Sequence, residues 1–321
     1  MFDELKKILC DIMGPQFVSD HEFEQYVYGY DGGEVYVPRK PDIIIRPKTT
    51  AEVSKTVRVA RRFRVPICPR GNAGHVWGVG IPAEGGGITM DMKRMKQIRL
   101  NRDTMTVTAQ AGVTWAELRE FLLPHGLKLT AMGPSGIGFA GTIGGGTQLN
   151  SVGYGAGQWG MVNENVTTME VVLGTGDVIR TGSDASIYAV KMSPGMHRYC
   201  NGPDLMGLFT GGCGVLGIVT EISFRVQKLP EAIGYWGAVF DNIEDACNAA
   251  YEIALVRITY DGPMVMYKEA IHPLLAGKDT RDWAGKPYIY GRLEEQSQKI
   301  VDSKKEVISK LLDKYGGKQH K

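Results

Sequence analysis

Apolar positions recur along this chain with two different periods, and each change of period marks an element. Over residues 1–13, Phe2, Leu5, Ile8, Leu9 and Ile12 return every three or four positions among Asp3, Glu4, Lys6, Lys7 and Asp11. That spacing predicts an amphipathic helix, and its charges interrupt the apolar core that a signal peptide needs. A polar stretch around 20–33 follows, and then Pro41-Asp-Ile-Ile-Ile-Arg-Pro47 reads as a short buried strand between prolines. Thr49 and Glu52 carry the capping-box signal of a helix with Val53, Val57 and Ala60 on one face. Val65–Pro69 is the next strand, and it runs into the glycine turn Arg70-Gly-Asn-Ala-Gly-His-Val-Trp-Gly78. Strand–helix–strand spacing up to such a turn is what an α/β nucleotide-binding unit needs.

Strands are predicted over 85–92 and 104–111. A helix then opens on the second capping pair, Thr114 and Glu117, with Trp115, Leu118 and Leu122 on one face and Gly126 at its end. Further on, 168–181 reads as two strands about a Gly-Thr-Gly-Asp turn. Residues 204–209 read as helical, and 211–226 as a glycine turn feeding a buried strand. Composition shifts at Leu229-Pro230, which places a domain boundary there and divides the chain into 1–228 and 229–321. Beyond it, Tyr235–Phe240 leads into a helix over 242–254, and a strand follows at 263–268. Tyr288–Arg292 leads into a long helix with Ile300, Val307, Ile308, Leu311 and Tyr315 on one side. The pattern gives no strand returning after that helix.

The segment 133–160 departs from both periods. Eleven of its 28 residues are glycine, and it holds no Lys, Arg, Asp or Glu. Glycine loses more conformational freedom on folding than any other residue, so a run this dense needs a cause. Its interleaved Ile, Phe, Leu, Trp and Tyr argue against a flexible linker. They favour backbone that approaches a large flat ligand closely and turns N–H groups toward it. A net charge of +2 over 321 residues, with no basic stripe, argues against a nucleic-acid partner. No apolar run has the length of a membrane span. Cys10, Cys68, Cys200, Cys213 and Cys247 are scattered without a C-x-x-C pair, so no metal is expected and a reducing cytoplasm suits the chain.

Four segments, in matching order and spacing, resemble the FAD-linked oxidase/dehydrogenase family that includes vanillyl-alcohol oxidase, p-cresol methylhydroxylase and the glycolate/D-lactate dehydrogenase flavoproteins. They are Pro69-Arg-Gly-Asn-Ala-Gly-His75; Pro134-Ser135 with Thr142-Ile-Gly-Gly145 and Asn150; Trp159-Gly160 with Glu170-Val-Val-Leu and Asp177-Val-Ile-Arg-Thr-Gly182; and Asp204-Leu with Gly207-Leu-Phe and Gly214-Val-Leu-Gly-Ile-Val-Thr-Glu221. The resemblance covers 30–227 and continues more weakly into that family's cap domain. It implies an α+β protein: the two-subdomain FAD-binding fold of the p-cresol methylhydroxylase type plus a partial α/β cap. The implied cofactor-binding residues are Arg70, Gly71, Asn72, Ala73, Gly74, His75 and Gly78 around the pyrophosphate. Pro134, Ser135, Gly141, Thr142, Ile143, Gly144, Gly145 and Asn150 belong to the second segment, and Ile179, Gly217 and Ile218 to the adenine end. His75 is the candidate catalytic residue, standing where phenol-oxidising relatives have a tyrosine. A hydrogen bond to the phosphates or flavin edge is its expected role, with covalent flavin attachment as the other.

After the first loop, His75-Val-Trp77 departs from the hydroxy-acid dehydrogenases and is nearer the phenol-oxidising members; Gly212-Cys213 stands where Ser-Glu is usual. Where family members carry a complete cap domain, only about half of one is expected here. Tyr154 and Trp159 either line the flavin or pack behind it. His197 and Arg198 either meet a carboxylate substrate or lie on a solvated loop. The implied activity is oxidation of a small alcohol, 2-hydroxy acid or alkylphenol by hydride transfer to flavin N5. A second polypeptide is expected to complete the cap, and a redox partner to take the electrons. The rival expectation is a non-catalytic electron-transfer subunit, and a third is that the sequence is a piece of a longer protein.

Overall fold

Helix α1 (Phe2–Met13) forms where its periodicity predicts, burying Leu5, Leu9 and Met13. A strand β1 (Val18–Ser19) follows, and then a helix α2 (Glu22–Tyr28) inside the stretch that the pattern shows only as polar. Helix α2 is hidden from periodicity because Phe23, Tyr26 and Val27 stay exposed while Tyr28 is buried. Next come β2 (Ile43–Ile45), α3 (Thr50–Phe63), β3 (Ile67–Arg70) and β4 (Ile88–Asp91). The Thr49 hydroxyl accepts the Glu52 N–H and opens α3, whose Val53, Val57 and Ala60 pack with α1. The sheet order is β1-β2-β4-β3, with β4 parallel to both neighbours, so the crossover through α3 skips one place.

The computed structural model describes residues 2–32, 37–134, 140–199, 202–266 and 285–319. The chain divides into two units, Met1–Val152 with Val162–Gln227, and Gly153–Met161 with Lys228–Lys321. The first unit continues through β5 (Ile98–Asn101), β6 (Thr106–Gln110), α4 (Trp115–Leu122), β7 (Leu127–Leu129), β8 (Met132–Pro134) and α5 (Ile143–Gln148). After β9 (Gly153–Tyr154) and α6 (Ala156–Trp159), which belong to the second unit, come β10 (Val166–Val172), β11 (Val178–Arg180), α7 (Ile187–Met192) and β12 (Ile218–Lys228). Residues 204–209, predicted helical, form a single 3₁₀ turn at Leu205–Leu208. A second sheet runs β11-β10-β12-β6-β5 through antiparallel pairings. Thr114 and Glu117 close the full capping box of α4, and Trp115, Leu118 and Leu122 are entirely buried in this sheet's core.

The second unit holds β13 (Ala232–Val239), α8 (Ile243–Val256), β14 (Met264–Met266), β15 (Tyr288–Glu295), α9 (Gln298–Lys314) and β16 (Lys318–Gln319). Its sheet order is β14-β15-β13-β16. Two expectations are corrected here. A returning strand does exist: β16 pairs antiparallel with β13 at Ala238 and Val239. Its two polar, exposed residues carry no hydrophobic period by which to see it. Helix α9 also buries Val301, Ile308 and Leu312, while Ile300 and Val307 are 42% and 43% exposed. Val301 sits on Gly234 of β13, where a Cβ would come within 2.5 Å of its Cγ1. That seat sets the helix phase, and it lies on another strand. Among the described residues, no helix is long and apolar enough to cross a membrane.

Candidate functional site

Residues 71–80 leave the C-terminal end of β3, the end at which open parallel sheets take their ligands. The loop is tied from outside. Arg70 Nη1 donates to the carbonyls of Tyr28 at 2.9 Å and Gly80 at 3.1 Å. The Gly32 N–H donates to the carbonyls of Ala73 at 3.0 Å and His75 at 2.9 Å. The Gly78 N–H reaches Asp31 Oδ2 at 2.6 Å, and Asn72 Nδ2 reaches the Ala140 carbonyl at 2.5 Å. Ala73 takes the left-handed conformation with φ +48°. Among the described residues, the N–H groups of 71–77 meet no protein acceptor. His75 Nε2 is buried without a partner, and its ring lies edge-on to Trp77 with centroids 5.6 Å apart. Burial pulls the Arg70 guanidinium below its usual value.

The glycine-dense segment meets this loop at Thr142. A Cβ on Gly71 would overlap the Thr142 hydroxyl, so glycine is required for the two segments to approach. Thr142 also caps α5, accepting the Gly145 N–H at 3.3 Å. The next donors of that helix end are taken by protein: the Ile143 N–H by the Val113 carbonyl at 2.8 Å and the Gly144 N–H by the Ala111 carbonyl at 3.0 Å. Gly144 and Gly146 are glycine for packing reasons, since a Cβ would stand 2.9 Å from the Ala111 Cβ and 2.8 Å from the Trp115 ring. The backbone donors left without a protein acceptor are therefore on the loop and not at Ile143, Gly144 or Gly145 of α5. The Gly141 carbonyl accepts the Trp115 N–H at 3.0 Å, Pro134 ends β8, and Ser135 lies outside the described residues.

At the other end of α5, Gln148 pins the last glycine turn. Its Nε2 donates to the Phe209 carbonyl at 2.8 Å, and its Oε1 accepts the Gly214 N–H at 2.8 Å. The Thr147 carbonyl accepts the N–H groups of Asn150 and Gly211 at 3.2 and 3.1 Å. Asn150 and Cys213 both adopt positive φ, 49° and 50°. Ile179 and Ile218 lie on the two strands flanking β10, opposite Val171 and Val172. A Cβ on Gly217 would come within 2.6 Å of Val171 Cγ1. Arg198 is held by Asp204, at 3.0 Å through Nε and 2.8 Å through Nη2, and by the Asn163 carbonyl at 2.7 Å. His197 is exposed, with its backbone bonded to Ser183.

Tyr28, Asp31, Asp91 and Gln148 stand in no motif or spacing that marks them in the sequence. The Tyr28 hydroxyl donates to the buried Asp91 carboxylate. Burial first, and that carboxylate second, push the hydroxyl up to about 12, against about 10 in an unfolded chain. The folded state thus keeps this proton after the unfolded chain has lost it. The contribution to stability is complete below about pH 10 and is lost as pH rises through about 12. Urea denaturation at stepped pH should show the parent losing stability across that window and Tyr28→Phe lacking that share of the loss.

A run of backbone donors with an unpartnered imidazole nitrogen among them suits an anion, and glycine at 71 and 217 lets the backbone lie against Thr142 and Val171. The residues present fit a dinucleotide. A β/α sheet with this loop at its strand ends, joined to an antiparallel sheet, is the FAD-binding fold of the p-cresol methylhydroxylase type. Residues 41–182 match the family described as FAD binding domain. The chain belongs to the FAD-linked oxidase/dehydrogenase family, and its cofactor is FAD.

Among its relatives, the glycolate oxidase subunit GlcD of Bacillus subtilis is 32% identical over 256 residues, 79% of this chain and 51% of that protein. The mitochondrial D-lactate dehydrogenase (cytochrome) of Arabidopsis thaliana is 32% identical over 252 residues, 78% of this chain and 41% of that protein. In fold, the chain is similar to substrate-bound p-cresol methylhydroxylase, with TM-score 0.80 and 20% identity over 99% of this chain and 65% of that one. Alkyldihydroxyacetonephosphate synthase aligns with TM-score 0.81 and 21% identity, over 99% of this chain and 60% of that one. The chain thus spans about half the length of the relatives it matches in sequence.

Proposed function

We propose that this chain is the FAD-carrying part of an oxidoreductase acting on a small alcohol, a 2-hydroxy acid or an alkylphenol. The observation that carries this reading is the donor run of 71–77 with the unpartnered His75 Nε2 beside it. Gly71, Asn72, Ala73, Gly74 and His75 would hold the pyrophosphate, with Arg70 and Gly78 keeping the loop closed. Pro134, Gly141, Thr142, Ile143, Gly144, Gly145 and Asn150 would belong to the second FAD segment, as would Ser135 by its place in the sequence, with the glycines against the isoalloxazine or ribityl region; Ile179, Gly217 and Ile218 would hold the adenine end. When bound, the flavin supplies hydride acceptance at N5. The chain's own work is to neutralise the phosphates with backbone dipoles and to fix the ring system. His75, with a ring nitrogen free of protein partners, would place a hydrogen bond at the cofactor. Residues 229–321 would be part of a cap that a second polypeptide completes, with electrons leaving to a redox protein. The naming of a relative as a subunit of glycolate oxidase supports the assembly.

An absorbance spectrum before and after acid precipitation, with native mass on the same sample, tests this. Flavin bands in the supernatant and a mass above one chain are expected, as is anaerobic bleaching by glycolate, D-lactate or p-cresol. Flavin retained in the pellet would make His75 the covalent attachment point. No flavin under any condition would sink the reading.

A further inference from the structure

The ties that shape the loop 71–80 begin outside it, and one set leads into a buried cluster at the strand ends. Asp91 closes β4 in register with Arg70 of β3, and it is 2% exposed. Its Oδ1 accepts the Lys93 N–H at 3.0 Å, and its Oδ2 accepts the Tyr28 hydroxyl while facing Lys93 Nζ at 3.2 Å. Tyr28 gives its carbonyl to Arg70 Nη1 at 2.9 Å and its ring face to the same guanidinium at 5.0 Å. Arg46 and Lys93 stand over that ring at 5.7 and 5.9 Å. A buried carboxylate is costly unless it is hydrogen-bonded, so Asp91 strongly favours one position of the Tyr28 hydroxyl. Tyr28, so fixed, presents both carbonyl and ring to Arg70. Arg70 in turn joins β3 to Gly80 at the far side of the loop, at 3.1 Å.

We propose that Tyr28 and Asp91 are positioning residues for the loop 71–78, acting through Arg70 to set the N–H cradle in its binding shape before any cofactor arrives. The consequence for FAD rests on the cofactor reading given above. A loop ordered in advance does not lose its freedom again on binding, so affinity rises without a new contact. Neither side chain need touch the cofactor for this to hold.

Tyr28→Phe keeps the ring and removes the hydroxyl, and Asp91→Asn keeps the shape and removes the charge. In the flavin-stripped full chain, amide hydrogen exchange would be followed at Gly32 and Gly78, whose N–H groups bond the loop and its anchor, and at Ala111, whose N–H bonds the Thr220 carbonyl. FAD titration by flavin fluorescence would accompany it. Exchange at Gly32 and Gly78 is expected to rise at least about tenfold, with Ala111 unchanged, and the Kd for FAD to rise by about tenfold. Unchanged exchange at Gly32 and Gly78 overturns the proposal, and so does an equal rise at all three amides, which would mean general destabilisation. A parent that takes up no FAD while its variants still loosen Gly32 and Gly78 would refute the cofactor reading and support the positioning role.

Discussion

Alanine at position 71 is expected to weaken FAD binding by about a hundredfold, or ~2.7 kcal/mol. The added Cβ would overlap the Thr142 hydroxyl and stand 3.0 Å from its Cγ2. Thr142 has little freedom to yield. Its hydroxyl caps Gly145, its carbonyl accepts the Gly146 N–H at 3.0 Å, and its backbone bridges to Thr114. The loop must therefore move, and an overpacked contact of this kind costs about 1–3 kcal/mol. Backbone donors hold an oxyanion only within a narrow range of distance and angle, so a displacement on the order of 1 Å removes several of them together. Fluorescence titration of flavin-stripped protein gives the Kd, and a thermal melt without FAD gives the structural part. A Kd within threefold of the parent would mean that the cofactor does not depend on this approach.

What the sequence could show here divides along the line between local and distant causes. Thr49–Glu52 and Thr114–Glu117 are local signals, and both open helices in the structure. The Trp115, Leu118 and Leu122 stripe is likewise a matter of spacing, and all three are fully buried. The fold and its cofactor were legible because four motifs kept their order. Helix α2 was not legible, because its one buried residue, Tyr28, is held by Asp91, which is 63 residues away in the chain. The phase of α9 turned on Gly234, a residue of another strand. Nothing in composition marks 153–161 as belonging with the second unit, where the Gly155 N–H bonds Asp261 Oδ1 at 2.6 Å. Arg198, open on sequence grounds to a carboxylate substrate, turns out to be occupied by Asp204. The glycine density of 133–160 points in the sequence to a ligand, yet contacts with other protein groups account for part of it.

Trp115 shows how large that part is. The indole is fully buried, edge-on to Phe224 with centroids 5.5 Å apart. A Cβ on Gly133 would overlap it, and one on Gly146 would stand 2.8 Å from its Cζ2. Trp115→Ala is expected to cost about 3–5 kcal/mol, the range for emptying a large aromatic site. Gly146→Ala is expected to cost about 1–3 kcal/mol, although alanine is the better helix former by ~1 kcal/mol. If the indole is what forbids a side chain at 146, the double variant places its new methyl in the space the indole has left. Its loss should then fall short of the sum by about 1–2 kcal/mol, a coupling that chemical denaturation of the four proteins can resolve. Strict additivity would show that Gly146 is glycine for some other reason. In that event FAD affinity should fall in Gly146→Ala whether or not Trp115 is present.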